Sequence, residues 1–169
     1  MFRVSDVIDL PIVSLRTGKR LCTVKSVIID MKENMVFALL CKESMMKKHC
    51  EIVQYNKILL MNYNQITVFD KSSFKRIWSG SLNTSSFIEY ENIIGKFVIN
   101  SNRELIGTVT DIYFHALNGT IDSFELSEGY FDDFVYGRKL LSCKENTGPL
   151  INQVRPLEVE LANGIEFLH

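Results

Sequence analysis

The sequence predicts an all-β protein made of two small, mostly antiparallel β-barrels in tandem, with short helical turns between strands. Two observations predict this class. The first is that the chain repeats itself: residues 12–41, moved forward by 85 positions, lie over residues 97–126 without a gap. In this overlay Val13 falls on Val98, and the other apolar positions also keep their places. A pattern that recurs at a fixed offset indicates two similar structural units in one chain.

The second observation is that the apolar segments have the composition of strands. They are rich in Val, Ile, Phe, Tyr and Thr, which suit a pleated, half-buried surface, and they comprise Thr23–Asp30, Met35–Cys41, Gln65–Asp70, Thr108–His115 and Thr120–Leu126. Asn118-Gly119, between the last two, predicts a tight hairpin turn because both residues tolerate a positive φ. Asn34 supplies the same left-handed position in the first copy, so the turn chemistry repeats as well.

Alternation between apolar and polar residues fails at the same place in both copies. Three apolar residues run together at Val27–Ile29 and again at Ile112–Phe114. A strict period of two does not produce such a run. We therefore expect either a β-bulge or a strand that is covered on both faces.

A segment rich in Ser, Lys and Asn separates the two copies. We interpret residues 71–86 as the connection between the units, with Ile77 and Trp78 packed onto one barrel. This interpretation places the first unit at residues 1–80 and the second unit at residues 81–169.

The second half carries two further local signals. Phe87–Ile94 predicts a short helical turn. Near the C-terminus, Leu157–Leu161 alternates, Asn163-Gly164 predicts a turn, and Ile165–Leu168 resumes the strand pattern. These residues indicate a hairpin that is added to an edge of the second unit.

Composition and charge pattern favour a cytoplasmic protein without a membrane span. Charged Arg3, Asp6 and Asp9 interrupt the apolar N-terminus, which argues against a secretory segment. The longest apolar run, Val36–Cys41, is too short to cross a bilayer. The four cysteines form no CxxC pair, so we expect free thiols in a reducing compartment.

Charge is divided unevenly between the halves. Residues 1–84 hold 13 Lys and Arg against 7 Asp and Glu, a balance of +6, whereas residues 85–169 hold 6 against 13, a balance of −7. Such asymmetry guides association. The corresponding hypothesis is that the two barrels dock on each other, or pair head to tail between chains as a homo-oligomer.

A short motif in the second copy comprises Ile106-Gly107, Val109, Asp111-Ile112 and, after the turn at Asn118-Gly119, Ile121. It resembles the opening of a PRC-barrel domain. The first copy is similar, but Cys22 stands in place of the glycine and Ser26 in place of the aspartate. The resemblance implies barrels that act as an interaction module without a shared catalytic site. It also implies that the glycine and the aspartate serve turns and strand ends.

An acidic stretch interleaved with aromatic residues is the first candidate site. Within it, Tyr130, Phe131, Asp132 and Asp133 predict a partner-binding loop. The alternative is a solvated loop whose aromatic rings pack onto the barrel. Paired carboxylates also serve in acid–base catalysis, but paired acids without a nucleophile beside them rarely make an active site.

A basic loop in the first half is the second candidate site. It contains Lys42, Lys47, Lys48 and His49, and Arg16, Lys19 and Arg20 would extend it into a basic face. Such a patch favours RNA or a ribosome as partner. The alternative is a solvated loop, which the scarcity of nearby aromatic residues favours.

No metal or cofactor is expected. His49-Cys50 is the single adjacent pair of metal-type ligands in the sequence, and a zinc site needs about four. We therefore expect a non-enzymatic protein-interaction or assembly adaptor with a protein partner. A ribosome- or RNA-associated maturation factor that uses the basic first half is the alternative, and a small enzyme ranks last.

Overall fold

The all-β prediction is confirmed by the computed structural model. It describes residues 1–43, 49–81, 86–99, 105–129, 133, 137–143, 159–161 and 165–168. The strands of this part of the chain belong to three sheets, which do not close into barrels. The ladder between the second and eighth strands is parallel, and the other ladders described are antiparallel.

Strands dominate both halves. The first half contains β1 (Phe2–Arg3), β2 (Pro11–Ser14), β3 (Arg20–Thr23), β4 (Ser26–Asp30), β5 (Met35–Glu43), β6 (His49–Gln54), β7 (Ile58–Met61), β8 (Ile66–Val68) and β9 (Phe74–Trp78). The second half contains β10 (Phe87–Glu89), β11 (Phe97–Ile99), β12 (Leu105–Phe114), β13 (Ile121–Ser127), β14 (Lys139–Ser142), β15 (Val159–Leu161) and β16 (Ile165–Leu168). Helix α1 spans Val4–Val7, and one-turn 3-10 helices occupy Tyr55–Lys57, Lys71–Ser73, Ser79–Ser81 and Tyr90–Asn92.

Two of the sheets are built mainly from the first half. One has the order β10-β4-β5-β6-β9, and the other has the order β3-β2-β8-β7. The third sheet, from the second half, has the order β14-β13-β12-β11-β16-β15, with β1 added to β12. The outermost strands of these three orders, among the strands described, are therefore β10 and β9, β3 and β7, and β14 and β15.

The strand predicted over Thr23–Asp30 is interrupted at Val24 and Lys25. The Val24 N–H donates to the Leu10 carbonyl over 3.0 Å, whereas the Lys25 N–H donates to the Leu40 carbonyl over 2.7 Å. The chain changes hydrogen-bonding partner within two residues. As a result β3 stays with β2, β4 pairs with β5, and the first half holds two separate sheets.

Both explanations for the apolar run in β4 are confirmed. The pairing of β4 with β5 shifts register between Ile28 and Ile29, which marks a bulge. The strand is also covered on both faces, because Val27 and Ile29 belong to the main core while Ile28 belongs to a second cluster. The other buried members of that second cluster are Ala38, Leu40, Cys50 and Ile52. Full burial of a side chain such as Ile28 stabilises the fold by about 2 kcal/mol.

The expectation that residues 71–86 only connect the units is wrong, because this segment contains β9. The strand pairs with β6 along its whole length. Its apolar residues Phe74 and Ile77 are separated by two basic residues and flanked by serines, which concealed the strand pattern. Ile77 packs against the second cluster as expected, but Trp78 remains 62% exposed.

The two local signals of the second half are confirmed. The predicted turn over Phe87–Ile94 contains β10 and then the 3-10 helix Tyr90–Asn92. β15 and β16 pair antiparallel, and β16 pairs with β11, so the hairpin extends the second unit at its edge. Asn163-Gly164, predicted to form its turn, lies outside the described residues.

An approximate two-fold axis passes between the hairpin turns of the two halves. Met35 forms a bridge with Thr120, the residue 85 positions later. Beside it, the Val36 N–H donates to the Gly119 carbonyl over 2.8 Å, and the Ile121 N–H donates to the Asn34 carbonyl over 3.0 Å. These bonds are reciprocal between equivalent residues, so the duplicated sequence has become a two-fold symmetric pair.

Each half lends its opening strand to the sheet of the other half. β1 pairs with β12, with Phe2 opposite Phe114, and β10 pairs with β4, with Ile88 opposite Ile29. The two exchanges are equivalent under the approximate symmetry. The units are therefore intertwined, a feature that the tandem pattern did not predict.

Strand pairing also corrects the gapless overlay by one residue at the start of each unit. Ile12 lies opposite Cys22, and Val98 lies opposite Gly107. Because Cys22 and Gly107 are 85 positions apart, Ile12 rather than Val13 corresponds to Val98, at an offset of 86. The sequence concealed this shift because Ile12 and Val13 are both apolar. The turn that follows is one residue longer in the first half, so the offset returns to 85 at Cys22 and Gly107.

A single main core serves both halves. Its fully buried members include Val4, Val27, Val36 and Ile66 from the first half and Ile112, Phe114, Phe124 and Leu126 from the second. The boundary between units at residues 80–81 stays a prediction. Residues on both sides of it contribute to this core.

Replacement of Gly119 by Ala tests the contact between the halves. Gly119 has φ +78°, and a Cβ atom there would lie 2.9 Å from Cδ1 of Tyr55. We expect a loss of about 2–3 kcal/mol in the free energy of unfolding, from backbone strain and the clash together. Gly18→Ala is the matched control, because Gly18 has φ +67° with nothing within 4 Å. It should cost only about 1 kcal/mol in urea unfolding. Equal losses would show that the Tyr55 ring yields without cost.

Candidate functional site

Each half sends its opening segment to the sheet of the other half, which makes two crossings between the halves. A hydrogen bond between a serine and a carboxylate holds each crossing. The Ser5 Oγ donates to Asp111 Oδ2 over 2.5 Å, and the Ser5 N–H donates to Asp111 Oδ1 over 3.3 Å. At the equivalent crossing, the Ser26 Oγ donates to Glu91 Oε2. The first half supplies both hydroxyls and the second half supplies both carboxylates.

Asp111 collects further donors at its crossing. It is buried, and its Oδ1 accepts from the Tyr90 hydroxyl over 3.1 Å and from the Ile112 N–H over 2.8 Å. Burial, followed by the charge of Asp111, raises the pKa of Tyr90, which keeps that hydroxyl a donor. A buried carboxylate needs such hydrogen bonds to be tolerated. Asp111 therefore ties elements together, in the place where the resemblance implied a structural aspartate.

The acidic stretch predicted as a partner-binding loop is only partly described. Tyr130, Phe131 and Asp132 lie outside the described residues. Asp133 serves its own loop, where its Oδ1 accepts from the Glu128 N–H over 3.2 Å. Glu128 also pairs with the Lys139 Nζ at 2.8 Å. The described acids of this stretch are thus engaged with local partners.

Glu125, from the same stretch, is buried on β13 and neutralised. It accepts from the Arg138 guanidinium over 2.6 Å, the Thr110 hydroxyl over 2.9 Å and the Tyr113 hydroxyl over 3.0 Å. Burial acts to raise the pKa of Glu125, but these hydrogen bonds outweigh it and hold that pKa below its ordinary value. Glu125 is therefore a charged, structural carboxylate.

The predicted basic face is only partly described and stays a prediction. Lys47 and Lys48 lie outside them. Arg16 is paired with Asp70 at 3.0 Å, and the Arg20 guanidinium donates to the Thr23 hydroxyl over 3.4 Å.

Sequence reasoning missed the exposed basic residues of β9. Lys75, Arg76 and Trp78 are all exposed on this edge strand, and Trp78 lies opposite His49 of β6. Because side chains alternate along a strand, Arg76 and Trp78 share one face and Lys75 lies on the other. The signal that could have found it is the Phe-Lys-Arg-Ile-Trp sequence, in which apolar and basic residues are interleaved.

The two residues of the adjacent His49-Cys50 pair lie in different environments. His49 is exposed, whereas the adjacent Cys50 is buried in the second cluster. Within the described ranges, no group of three or more His, Cys, Asp or Glu side chains is placed to hold a metal ion.

An apolar groove of about 410 Å³ lies where the two halves meet. We call it the junction groove, and its apolar lining comprises Met35, Tyr55, Ile58, Leu59, Leu60, Met61, Ala116 and Leu117. Leu59 and Leu60 are each 56% exposed, and Leu117, in the β12–β13 turn, is 100% exposed. Large apolar side chains that remain exposed together on a folded protein mark a candidate binding surface.

Tyr55 joins the two walls of the junction groove. Its hydroxyl donates to the Ala116 carbonyl over 2.9 Å, and its ring packs edge-on against Phe114 with centroids 6.1 Å apart. Burial raises the pKa of Tyr55 to about 12, so the hydroxyl keeps its proton and its hydrogen bond. One wall of the groove is the β12–β13 turn, and the other is β7, an outermost strand of its sheet among the strands described. Sequence reasoning missed the groove because the leucines of β7 resemble core residues.

These features define a duplicated all-β protein whose two units exchange their opening strands. A family model for the PRC-barrel domain matches residues 1–71 and again residues 86–145. The chain therefore belongs to the PRC-barrel domain family, and the resemblance seen in the sequence is confirmed.

The chain is also similar to a curated protein. The chain is 24% identical over 136 residues to the uncharacterized protein YrrD of Bacillus subtilis (strain 168), which covers 79% of this chain and 74% of that protein. In the part of the chain that the structure describes, no helix has the length and apolar character to cross a membrane.

Asp111→Asn tests the crossing between the halves. The amide cannot accept from all four donors, and its NH₂ faces hydroxyl groups that already donate. We expect a loss of about 2–3 kcal/mol in the free energy of unfolding. Asp30→Asn makes the same chemical change in a surface turn, where Asp30 accepts from the Lys32 and Glu33 N–H groups. Its cost should stay under about 1 kcal/mol. Similar losses in chemical denaturation would contradict a special role for Asp111.

Proposed function

We propose that this protein is a non-enzymatic adaptor that binds an extended, apolar segment of a partner protein in the junction groove. The single observation that carries the proposal is the exposed trio of Leu59, Leu60 and Leu117 around an apolar groove. Membership of the PRC-barrel family supports a binding role over a catalytic one. The four cysteines are free thiols, which supports a cytoplasmic location.

The geometry favours recognition by strand addition. The outer side of β7 is not paired with any described strand, so its backbone groups can accept an added strand. An extended peptide beside β7 would place alternate side chains against Leu60 and Leu117. Each exposed leucine that becomes covered adds roughly 1 kcal/mol to the binding free energy.

Binding at this groove would depend on both halves. β7 belongs to the first half, whereas Leu117 belongs to the β12–β13 turn of the second, and Tyr55 holds the two walls together. An adaptor of this kind would respond to any change in the packing between the halves.

Charge substitutions at the groove test the adaptor proposal. Short synthetic peptides in which Val or Leu alternates with Thr or Lys should shift the backbone amide signals of β7 in isotope-labelled full-length protein. Leu60→Glu and Leu117→Glu should each weaken this binding about tenfold or more, because a charge would be buried against apolar side chains. Leu140→Glu is the matched control, since Leu140 is 53% exposed on the edge strand β14.

The control separates the junction groove from general edge-strand adhesion. Equal binding by the Leu117→Glu variant, or shifts confined to β14, would refute the proposal. If the β7 signals instead shift with protein concentration when no peptide is present, a second copy of the chain occupies the groove. In that case the protein is a homo-oligomer and not an adaptor at this site.

RNA binding at β9 is the second candidate function, and the exposed Lys75, Arg76 and Trp78 favour it. If it holds, single-stranded oligouridine should bind with a steep salt dependence, and Arg76→Glu should reduce both the affinity and the salt slope. Lys32→Glu removes a positive charge from an exposed turn of the same half and should change little. Equal effects of the two variants would indicate general charge attraction only.

A further inference from the structure

Two cysteines lie at the place where the sheets of the first half fail to join. Cys22 is on β3 of the four-stranded sheet, and Cys41 is on β5 of the five-stranded sheet. No ladder between β3 and β5 is among those described, yet Cys22 packs against the core cluster that contains Cys41, and each thiol perturbs the pKa of the other. The side chains therefore meet across a gap that backbone hydrogen bonds do not close.

The second half supplies an independent measure of this geometry. The residues 85 positions after Cys22 and Cys41 are Gly107 and Leu126. A Cβ atom built on Gly107 would lie 3.2 Å from the Cβ of Leu126. Disulfides join residues whose Cβ atoms are about 3.5–4.5 Å apart. The equivalent positions of the second half are therefore a few tenths of an ångström closer than a disulfide requires. Only the first half carries cysteine at both positions.

The two thiols are unequal in a way that suits sequential reaction. Cys22 is partly exposed, whereas Cys41 is buried. Interaction with the Cys41 thiol, helped by the charges of Lys71 and Arg20, outweighs burial and the charge of Glu51 and lowers the pKa of Cys22. Interaction with the Cys22 thiol, followed by burial, raises the pKa of Cys41. Cys22 is therefore the accessible nucleophile and Cys41 the thiol that resolves the intermediate.

We propose that Cys22 and Cys41 form a reversible disulfide when the protein meets a low-molecular-weight disulfide such as oxidised glutathione. The Cys22 thiolate attacks one sulfur of glutathione disulfide, forms a mixed disulfide and releases one glutathione thiolate. Cys41 then loses its proton, attacks the Cys22 sulfur and releases the second glutathione. The protein loses two electrons and two protons, and glutathione disulfide is reduced to two glutathione molecules.

The disulfide would connect β3 to β5 and so link the two sheets of the first half. It would also close a loop that includes all of β4, the strand that receives β10 from the second half. A cross-link of this kind restricts the unfolded chain and stabilises the folded state. Oxidation would then strengthen the first half at the sheet where the halves are intertwined.

Peptide mapping of the oxidised full-length protein tests this inference. After incubation with glutathione disulfide, the intact mass should fall by about 2 Da, the loss of two hydrogens. The proteolytic map should contain a Cys22–Cys41 cross-linked peptide. The midpoint of urea unfolding should rise on oxidation and return to its starting value when dithiothreitol is added.

Single variants supply the controls. Cys22→Ser and Cys41→Ala should each abolish the mass decrease, and Cys41→Ala should stop at a stable glutathione adduct on Cys22. Cys50→Ser and Cys143→Ser should retain the cross-link. Only stable glutathione adducts in the wild-type protein, or a cross-link through Cys50 or Cys143, would overturn the inference. Since the wild-type map alone decides this, a variant that fails to fold does not affect the outcome.

Discussion

The reciprocal exchange of opening strands is the constraint on which the rest of this structure depends. β1 completes the sheet of the second half and β10 completes a sheet of the first, so neither half buries its own apolar surface alone. Phe2 shows the consequence. Its ring stacks on Tyr63 of the first half, with ring centroids 4.4 Å apart, and packs near Phe114 of the second half, with ring centroids 6.3 Å apart. The main core therefore draws its residues from both halves.

Divergence between the copies makes the exchange selective. Each crossing pairs a hydroxyl of the first half with a carboxylate of the second: Ser5 with Asp111, and Ser26 with Glu91. If two second halves exchanged strands with each other, Glu91 would meet Asp111, and the two carboxylates would repel each other. Two first halves would join serine to serine and lose the charge-assisted bond. Strand exchange between a first half and a second half is therefore more favourable than exchange between two identical halves.

Periodicity and turn chemistry were sufficient to predict the duplication, the β class, the turns at Asn34 and Gly119, and the bulge in β4. These are local properties of the chain. The exchange was not predictable, because a strand of two or three residues such as β1 carries no mark of the sheet it joins. The junction groove and the Cys22–Cys41 contact were missed for the same reason, since each unites residues from strands that are distant in sequence or belong to different sheets. β9 was missed because its polar flanks resemble a linker.

The pairing of Phe2 with Phe114 also sets the order in which the molecule can assemble. During synthesis the N-terminal strand leaves the ribosome long before its partner strand β12 exists. The first half therefore cannot complete its structure early and wait for the second, as successive independent domains do. Contacts of such wide sequence separation slow folding, because the chain loses the entropy of a large loop before the contact forms. A chain cut short before β12 would expose the apolar residues of α1 and β1 to the cell's chaperones and proteases.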